Sequence, residues 1–321
     1  MNPFFFQPKN ANQFILSPGL TKSIEYFYFF QIADIAHFKR ALRTFVLPKI
    51  TTAKQIALTK VQRSGLPVSG EPFVGLSVGF SSTGLKILGL HDSLLDESFE
   101  MGQLRDAQSL GDSGTERSGT FYPDWDVEFK ADIHGIFQIT AHDQTIVTAF
   151  INDLDFAFVA GPRRSAIRKI LLFRAAFRPQ PHHPNEHFGY RDGISKPEIE
   201  WVTFNGVDNP MRFPGSPIVD MGLIVMGYDG DEDRHNRPPW AVDGSFLVFR
   251  KLKSLVPEFN DFVRREGQKI FPNLTADKAA DRFGARLFGR WKSGMTIITF
   301  MPFSTFRLFY RHAGCPCTER G

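Results

Sequence analysis

Cysteine is nearly absent: of 321 residues only Cys315 and Cys317 carry a thiol. One intervening residue makes a poor disulfide loop, and two thiolates alone do not hold zinc. A disulfide-stapled secreted scaffold is therefore excluded. Long apolar runs are also missing. No stretch reaches the roughly 18 residues of a membrane-spanning helix. The start, Met1-Asn2-Pro3-Phe4-Phe5-Phe6-Gln7-Pro8-Lys9, lacks the basic segment and apolar stretch of a signal peptide. The chain is accordingly expected inside the cell and off the membrane. Charge runs are short. There are 38 basic and 34 acidic residues, for a net charge of +4. Arg163-Arg164 and Arg264-Arg265 read as solvated faces. Without a basic footprint, nucleic acid is not an expected partner. No phosphate loop, no His-Glu-x-x-His helix and no Gly-x-Ser-x-Gly elbow occurs.

What is present is an ordinary globular balance, 42% apolar and 22% charged. That balance is enough to bury a sizeable core, and the length fits about two domains. Phenylalanine stands out with 34 positions. It carries a large apolar payload and no polar handle. So many of them build thick aromatic cores or an apolar cofactor cavity, and composition leaves both open.

Residues 1–20 carry no period and read as an irregular lead-in. Residues 24–32 are dense in β-branched and aromatic side chains and read as a buried strand. Asp34 then caps a helix with Ile35, Phe38, Ala41, Leu42 and Phe45 at helical spacing, ended by Pro48. Residues 73–80 form a second strand. Ser81, Ser82 or Thr83 caps a short helix at 84–88. Residues 90–125 read as an insertion of loops and short helical pieces. Strands follow at 134–140 and 167–173, around an amphipathic helix carrying Ile146, Val147, Phe150, Ile151 and Leu154. Strand–helix–strand, repeated once, is the βαββαβ order of a ferredoxin-like sandwich. The first domain is placed at 21–175.

Residues 175–215 are loop-rich, and loops this long are usually functional. Strands are predicted at 221–228 and 245–249, then helices at about 256–268 and about 275–290, the second opened by Thr275 and Asp277. The second domain, 176–294, thus starts as another α+β unit and stays incomplete. Its unpartnered strands predict poor solubility or a homo-oligomer. Residues 295–321 are a divergent tail. The run Asp229-Gly230-Asp231-Glu232-Asp233 opens like a calcium loop but lacks the closing glutamate, so it reads as a solvated acidic turn.

The densest chemistry lies in Glu186-His187-Phe188-Gly189-Tyr190-Arg191-Asp192-Gly193-Ile194-Ser195-Lys196-Pro197. Glycines at 189 and 193 let the backbone approach a flat ligand. Asp192 then projects a carboxylate from a rigid turn, suited to proton transfer if it faces a cavity. As a bare pattern it is equally an ordinary Asp-Gly turn. His187 reads as a structural hydrogen-bonding residue. His182 and His183 read as solvated, and His134 as a satisfied core histidine.

In its full context the stretch 187–197 resembles the signature of dye-decolorizing peroxidases, a family of haem enzymes. Other segments resemble that family in its order. They include Phe29-Phe30-Gln31-Ile32, Pro48-Lys49-Ile50-Thr51-Thr52, Phe80-Ser81-Ser82-Thr83-Gly84-Leu85, Gly102-Gln103 and Ile133-His134-Gly135. Later come Gly227-Tyr228, residues 243–250 and Gly289-Arg290-Trp291-Lys292-Ser293-Gly294. The likeness spans about residues 24–294 and is nearest the fungal branch. It implies an α+β fold of two ferredoxin-like halves packed as a dimeric α/β barrel, the second half incomplete here. It implies haem b as cofactor, hydrogen peroxide as oxidant and an aromatic dye or phenol as reductant. It makes Asp192 the distal acid–base group and places Gly193, Ile194 and Ser195 along the haem edge. The family's proximal histidine and distal arginine lie beyond the segment resembling 289–294, and the tail does not resemble the family. The family's usual lead-in is not recognisable in 1–20. The metal ligand is therefore unknown, with His312 a weak candidate. Trp125, Trp201, Trp240 and Trp291 are expected to pack in the core rather than to carry electrons. The alternative reading is a haem-free, inactive remnant acting as a binding or oligomerisation module.

Overall fold

The computed structural model describes residues 24–52, 74–191, 198–199, 203–204, 207–208 and 217–297. Strand β1 is Ile24–Ile32. Helix α1, Ile35–Ala41, begins at Asp34, whose carboxylate accepts the His37 N–H at 3.1 Å. The helix widens into a π-turn at Leu42–Val46 and tightens into a 3₁₀ turn at Leu47–Lys49, where Pro48 ends it. Strand β2 is Gly75–Phe80 and helix α2 is Ser82–Ile87. Of the three predicted caps, Ser81 is the one used: its Oγ accepts the Gly84 N–H at 3.0 Å.

The insertion holds two short helices, α3 (Glu97–Met101) and α4 (Gln103–Asp106). It also holds a hairpin that periodicity does not reveal, β3 (Gly114–Arg117) with β4 (Thr120–Pro123). Its strands are four residues each and mostly exposed, and β3 is polar, so they show no sustained apolar alternation. The turn at Ser118-Gly119, both at positive φ, sets the hairpin. Strand β5, Gly135–Ala141, leads to helix α5, Gln144–Ala157, capped by Asp143. A small hairpin, β6 (Val159–Gly161) and β7 (Arg164–Ser165), precedes β8, Ile167–Ala176.

The main sheet has the order β2-β5-β1-β8, and every pairing is antiparallel. This is the ferredoxin-like arrangement that the element order predicts, and the fold class is α+β. Register runs from Ile24 opposite Ala141 to Phe30 opposite Gly135 on one side of β1. On the other side it shifts between Phe29 and Phe30. One face of the sheet carries Tyr28, Phe30, Ile32, Leu76, Phe137 and Ile139 against Phe38 of α1 and Val147, Ile151 and Leu154 of α5. The Phe30 ring stacks on Phe137 with centroids 4.6 Å apart, and Phe38 stacks on Phe158 at 5.3 Å. Each fully buried Phe is worth about 1.5–3 kcal/mol. In this unit, then, the phenylalanines fill a core.

The described residues fall into two compact units, one from 1–176 with 196–248, the other from 177–195 with 249–321. In the first unit the segment 217–248 departs from expectation. Residues 221–228 are not a strand but a 3₁₀ turn, Met221–Leu223, followed by turns. A Cβ on Gly222 would lie 2.1 Å from the Asp231 backbone nitrogen, so the chain folds back on itself there. Gly227 sits at φ +91°, outside extended geometry. Residues 245–249 also form no ladder among the described residues. Local β propensity does not make a strand without a partner edge.

The second unit contains the two expected helices, α6 (Val256–Ile270) and α7 (Ala276–Phe288). They pack closely because Gly267 faces the backbone of Ala279, where a Cβ would lie 2.6 Å from the carbonyl oxygen. Thr275 stands at the N-cap of α7 without a capping side-chain bond. No helix among the described residues is long and apolar enough to cross a membrane.

Candidate active site

The segment 177–191 enters the second unit rich in proline, with Pro179, Pro181 and Pro184. Proline withholds the N–H that a strand or helix interior needs, so the chain turns instead. Glu186 organises the last turn. Its Oε2 accepts the Phe188 N–H at 2.7 Å, and its Oε1 accepts the Tyr190 N–H at 2.8 Å. Its own N–H donates to the Tyr190 carbonyl at 2.9 Å, and its carbonyl accepts the Gly189 N–H at 3.0 Å. Gly189 takes φ +93°, which lets the chain reverse. Asn185 Nδ2 donates to the Gly189 carbonyl at 2.9 Å, and an isolated bridge joins Asn185 to Arg191.

Two aromatic side chains pin this turn to the helices. Phe188 lies 4.7 Å from Phe259 of α6, centroid to centroid. Tyr190 stacks on Phe288 of α7 at 3.9 Å and 9°. Tyr190 is 2% exposed. Its hydroxyl sits where Gly284 leaves room, 1.9 Å from the position a Cβ would take. Burial, then the negative charges of Asp281 and Glu186, push the phenol up to about 12. Lys292 Nζ lies 5.8 Å above the same ring and 3.4 Å from Asp281 Oδ1.

The sequence-predicted site residues Asp192, Gly193, Ile194 and Ser195 follow directly and lie outside the described residues, as do His312, Trp201 and both cysteines. The described ones divide as follows. His134 is buried, its Nδ1 accepting the Ile32 N–H at 2.9 Å and its Nε2 lying 3.1 Å from Asp132 Oδ2. Those contacts assign the proton to Nε2 and make it the satisfied core residue expected. His187 is exposed, and the hydrogen-bonding role expected of it is not seen among the described residues. His182 is exposed; His183 is half-buried and stacks on Phe177 at 4.9 Å. Trp125 and Trp291 are half-buried, while Trp240 is exposed and donates to Asp92 Oδ2 at 2.9 Å.

The acidic run 229–233 is a turn, with Asp229 and Glu232 exposed as expected, and the reading is corrected at one residue. Asp231 is not solvated; it is 8% exposed and pairs with Arg237. Arg237 Nη2 and Nε donate to its two oxygens at 2.8 and 3.1 Å. The Gly227 and Asp233 N–H groups bond it as well. Arg237 also donates to the Leu94 carbonyl, tying 217–248 to the insertion within the first unit. Among the described residues no group of three or more His, Cys, Asp or Glu is placed to hold a metal.

Sequence reasoning quotes Glu186 and Tyr190 without giving them a role. The usable signal is a carboxylate two and four residues before the amides that a glycine turn would otherwise leave unpaired.

Residues 12–179 match the DyP dimeric alpha+beta barrel domain, about half of the chain. The chain belongs to the dye-decolorizing peroxidase family. The match begins inside the lead-in 1–20, so part of that stretch is family-like after all. The dye-decolorizing peroxidase of Mycena epipterygia is 38% identical over 280 residues, which is 87% of this chain and 48% of that protein. Dye-decolorizing peroxidase msp1 of Mycetinis scorodonius is 36% identical over 281 residues, 87% of this chain and 50% of its own. The chain thus spans about half the length of the curated relatives it matches. Among solved structures, a variant of the dye-decolorizing peroxidase from Pleurotus ostreatus superposes with a TM-score of 0.80 at 35% identity. That match covers 90% of this chain and 59% of the other. A dye-decolorizing peroxidase in complex with 2,6-dimethoxyphenol superposes at 0.70 with 34% identity, covering 92% and 61%.

Haem is the family's cofactor, and its iron needs an axial donor. Among the described histidines only His134 is buried, and both its ring nitrogens are engaged. The described residues therefore supply no buried histidine free to serve as the axial ligand.

Proposed function

We propose that this chain takes part in haem-dependent peroxidase chemistry on hydrogen peroxide, with Asp192 as the acid–base group and an aromatic dye or phenol as reductant. The observation that carries this reading is the family match across 87% of the chain, running through the Gly189-x-x-Asp192-Gly193 sequence motif. The haem would supply the redox chemistry. The chain's own contribution is the proton. The Asp192 carboxylate takes it from one oxygen of hydrogen peroxide and returns it to the other, which leaves as water, a general base followed by a general acid. Gly193, Ile194 and Ser195 are proposed to line the haem edge. A phenolic reductant is supported by the relative bound to 2,6-dimethoxyphenol.

A second reading, a haem-free chain serving as a binding or oligomerisation module, is favoured by the missing axial donor among the described residues. A haem titration of the full chain, followed by Soret absorption, separates the two. One haem per chain, with a peroxide-induced spectral change slowed about 10²- to 10⁴-fold in Asp192→Asn, is the expected result. Loss of the Soret band in His312→Ala would identify the tail histidine as ligand. No specific band in the unaltered chain would hand the conclusion to the second reading.

A further inference from the structure

We infer that Glu186 is a positioning residue, whose carboxylate fixes the backbone that runs into Asp192. This inference rests on the acid–base reading of Asp192. Both carboxylate oxygens are occupied, by the Phe188 N–H at 2.7 Å and the Tyr190 N–H at 2.8 Å. A carboxylate committed in this way is an anion held in a concavity of main-chain amides. The same residue closes the turn through its main chain, with the Tyr190 carbonyl at 2.9 Å and the Gly189 N–H at 3.0 Å. Arg178 Nη1 donates to its carbonyl at 2.5 Å.

The placement matters because of the residue at 189. Gly189 at φ +93° is the point where the chain is freest to swing. Glu186 bonds the amides on both sides of it. From the outer side, Phe188 on Phe259 and Tyr190 on Phe288 hold the same two residues. The backbone is thus held through Tyr190, two residues before Asp192. A misplacement of about 1 Å at a reacting group costs about 10²-fold in rate. A clamp this close in sequence acts on the rate through Asp192 and not by touching peroxide.

The test uses the full chain and two readouts. The first is amide hydrogen exchange of the peptide containing residues 186–192, without haem. In Glu186→Gln the Phe188 and Tyr190 amides are expected to exchange roughly fivefold faster or more, with the β1–β5 ladder unchanged. The second is the rate of the peroxide-induced spectral change in the haem-loaded chain. Glu186→Gln is expected to lower it about 10- to 100-fold and to displace its acid limb. The same substitution in an Asp192→Asn background is expected to change nothing further. Glu186→Asp, which keeps the charge on a shorter stem, is expected to fall between and serves if Glu186→Gln does not fold. Unchanged exchange overturns the clamp. Faster exchange with an unchanged rate, or an equal loss in the Asp192→Asn background, overturns the positioning role alone. Failure of the unaltered chain to take up haem overturns the reading of Asp192, and the positioning role with it.

Discussion

Gly284 and Tyr190 show what a single atom decides. Glycine inside a helix costs about 1 kcal/mol relative to alanine. Its presence in α7 is explained by the Tyr190 hydroxyl, which occupies the space of a Cβ. Gly284→Ala is therefore expected to destabilise the chain by about 1–3 kcal/mol through overpacking, in spite of the better helix former. Tyr190→Phe removes the obstructing oxygen. In that background Cζ still lies 3.1 Å from the Cβ position, so Gly284→Ala is expected to cost less than in the unaltered chain without becoming free. Urea unfolding of the four chains reads this, and equal costs in both backgrounds would remove the steric explanation. His134 is decided in the same way. The core role expected of it from sequence gains its partners only in the fold, where Ile32 and Asp132 meet its two nitrogens.

At the scale of elements, a buried ion pair helps to hold the segment 217–248, whose predicted strands 221–228 and 245–249 form no ladder among the described residues. Arg237 and Asp231 meet with side chains 9% and 4% exposed. The Arg237 hydrogen bonds, then the Gly227 and Asp233 amides, hold the Asp231 carboxyl down at about 2, below the usual 3.8. A depressed folded value contributes stability that is present above about pH 4 and lost as pH falls toward 2. The melting temperature is expected to drop across that window, and to drop less steeply in Asp231→Asn. Arg237→Ala strands a buried carboxylate and is expected to cost about 3–5 kcal/mol at neutral pH. A flat acid profile shared by both chains would show that the pair contributes nothing. This segment is also where sequence reading fails most clearly. Residues 221–228 and 245–249 have strand composition, yet extended backbone is stable only when another edge takes up its hydrogen bonds. The hairpin at β3 and β4 fails in the opposite sense: it is short, β3 is polar and exposed, and its Ser-Gly turn is the clearest sign of it. Helices α1 and α5 are legible because capping and 3.6-residue spacing are local. Asp34 states its role without reference to the rest of the chain, and Asp143 caps α5 in the same local way.

For the whole molecule, several large apolar side chains remain uncovered. Leu247 and Val248 of the first unit are 54% and 72% exposed. Apolar surface of this kind marks an interaction face. The full chain is expected to sediment as a dimer or larger species at micromolar concentration. A clean monomer with a cooperative melt would count against self-association. The sequence by itself determined the βαββαβ order of the main sheet and its helices, the start of α1 and the family. These follow from local propensity, periodicity and an ordered set of short segments, all of which are written along the chain. Tertiary structure alone decided the sheet order β2-β5-β1-β8, the burial of Asp231 and the space that Gly284 leaves for Tyr190. It also decided which amides the Glu186 carboxylate accepts. Each of those depends on which groups meet in space, and a carboxylate or a glycine looks the same in the chain whether it meets water, an arginine or a ring.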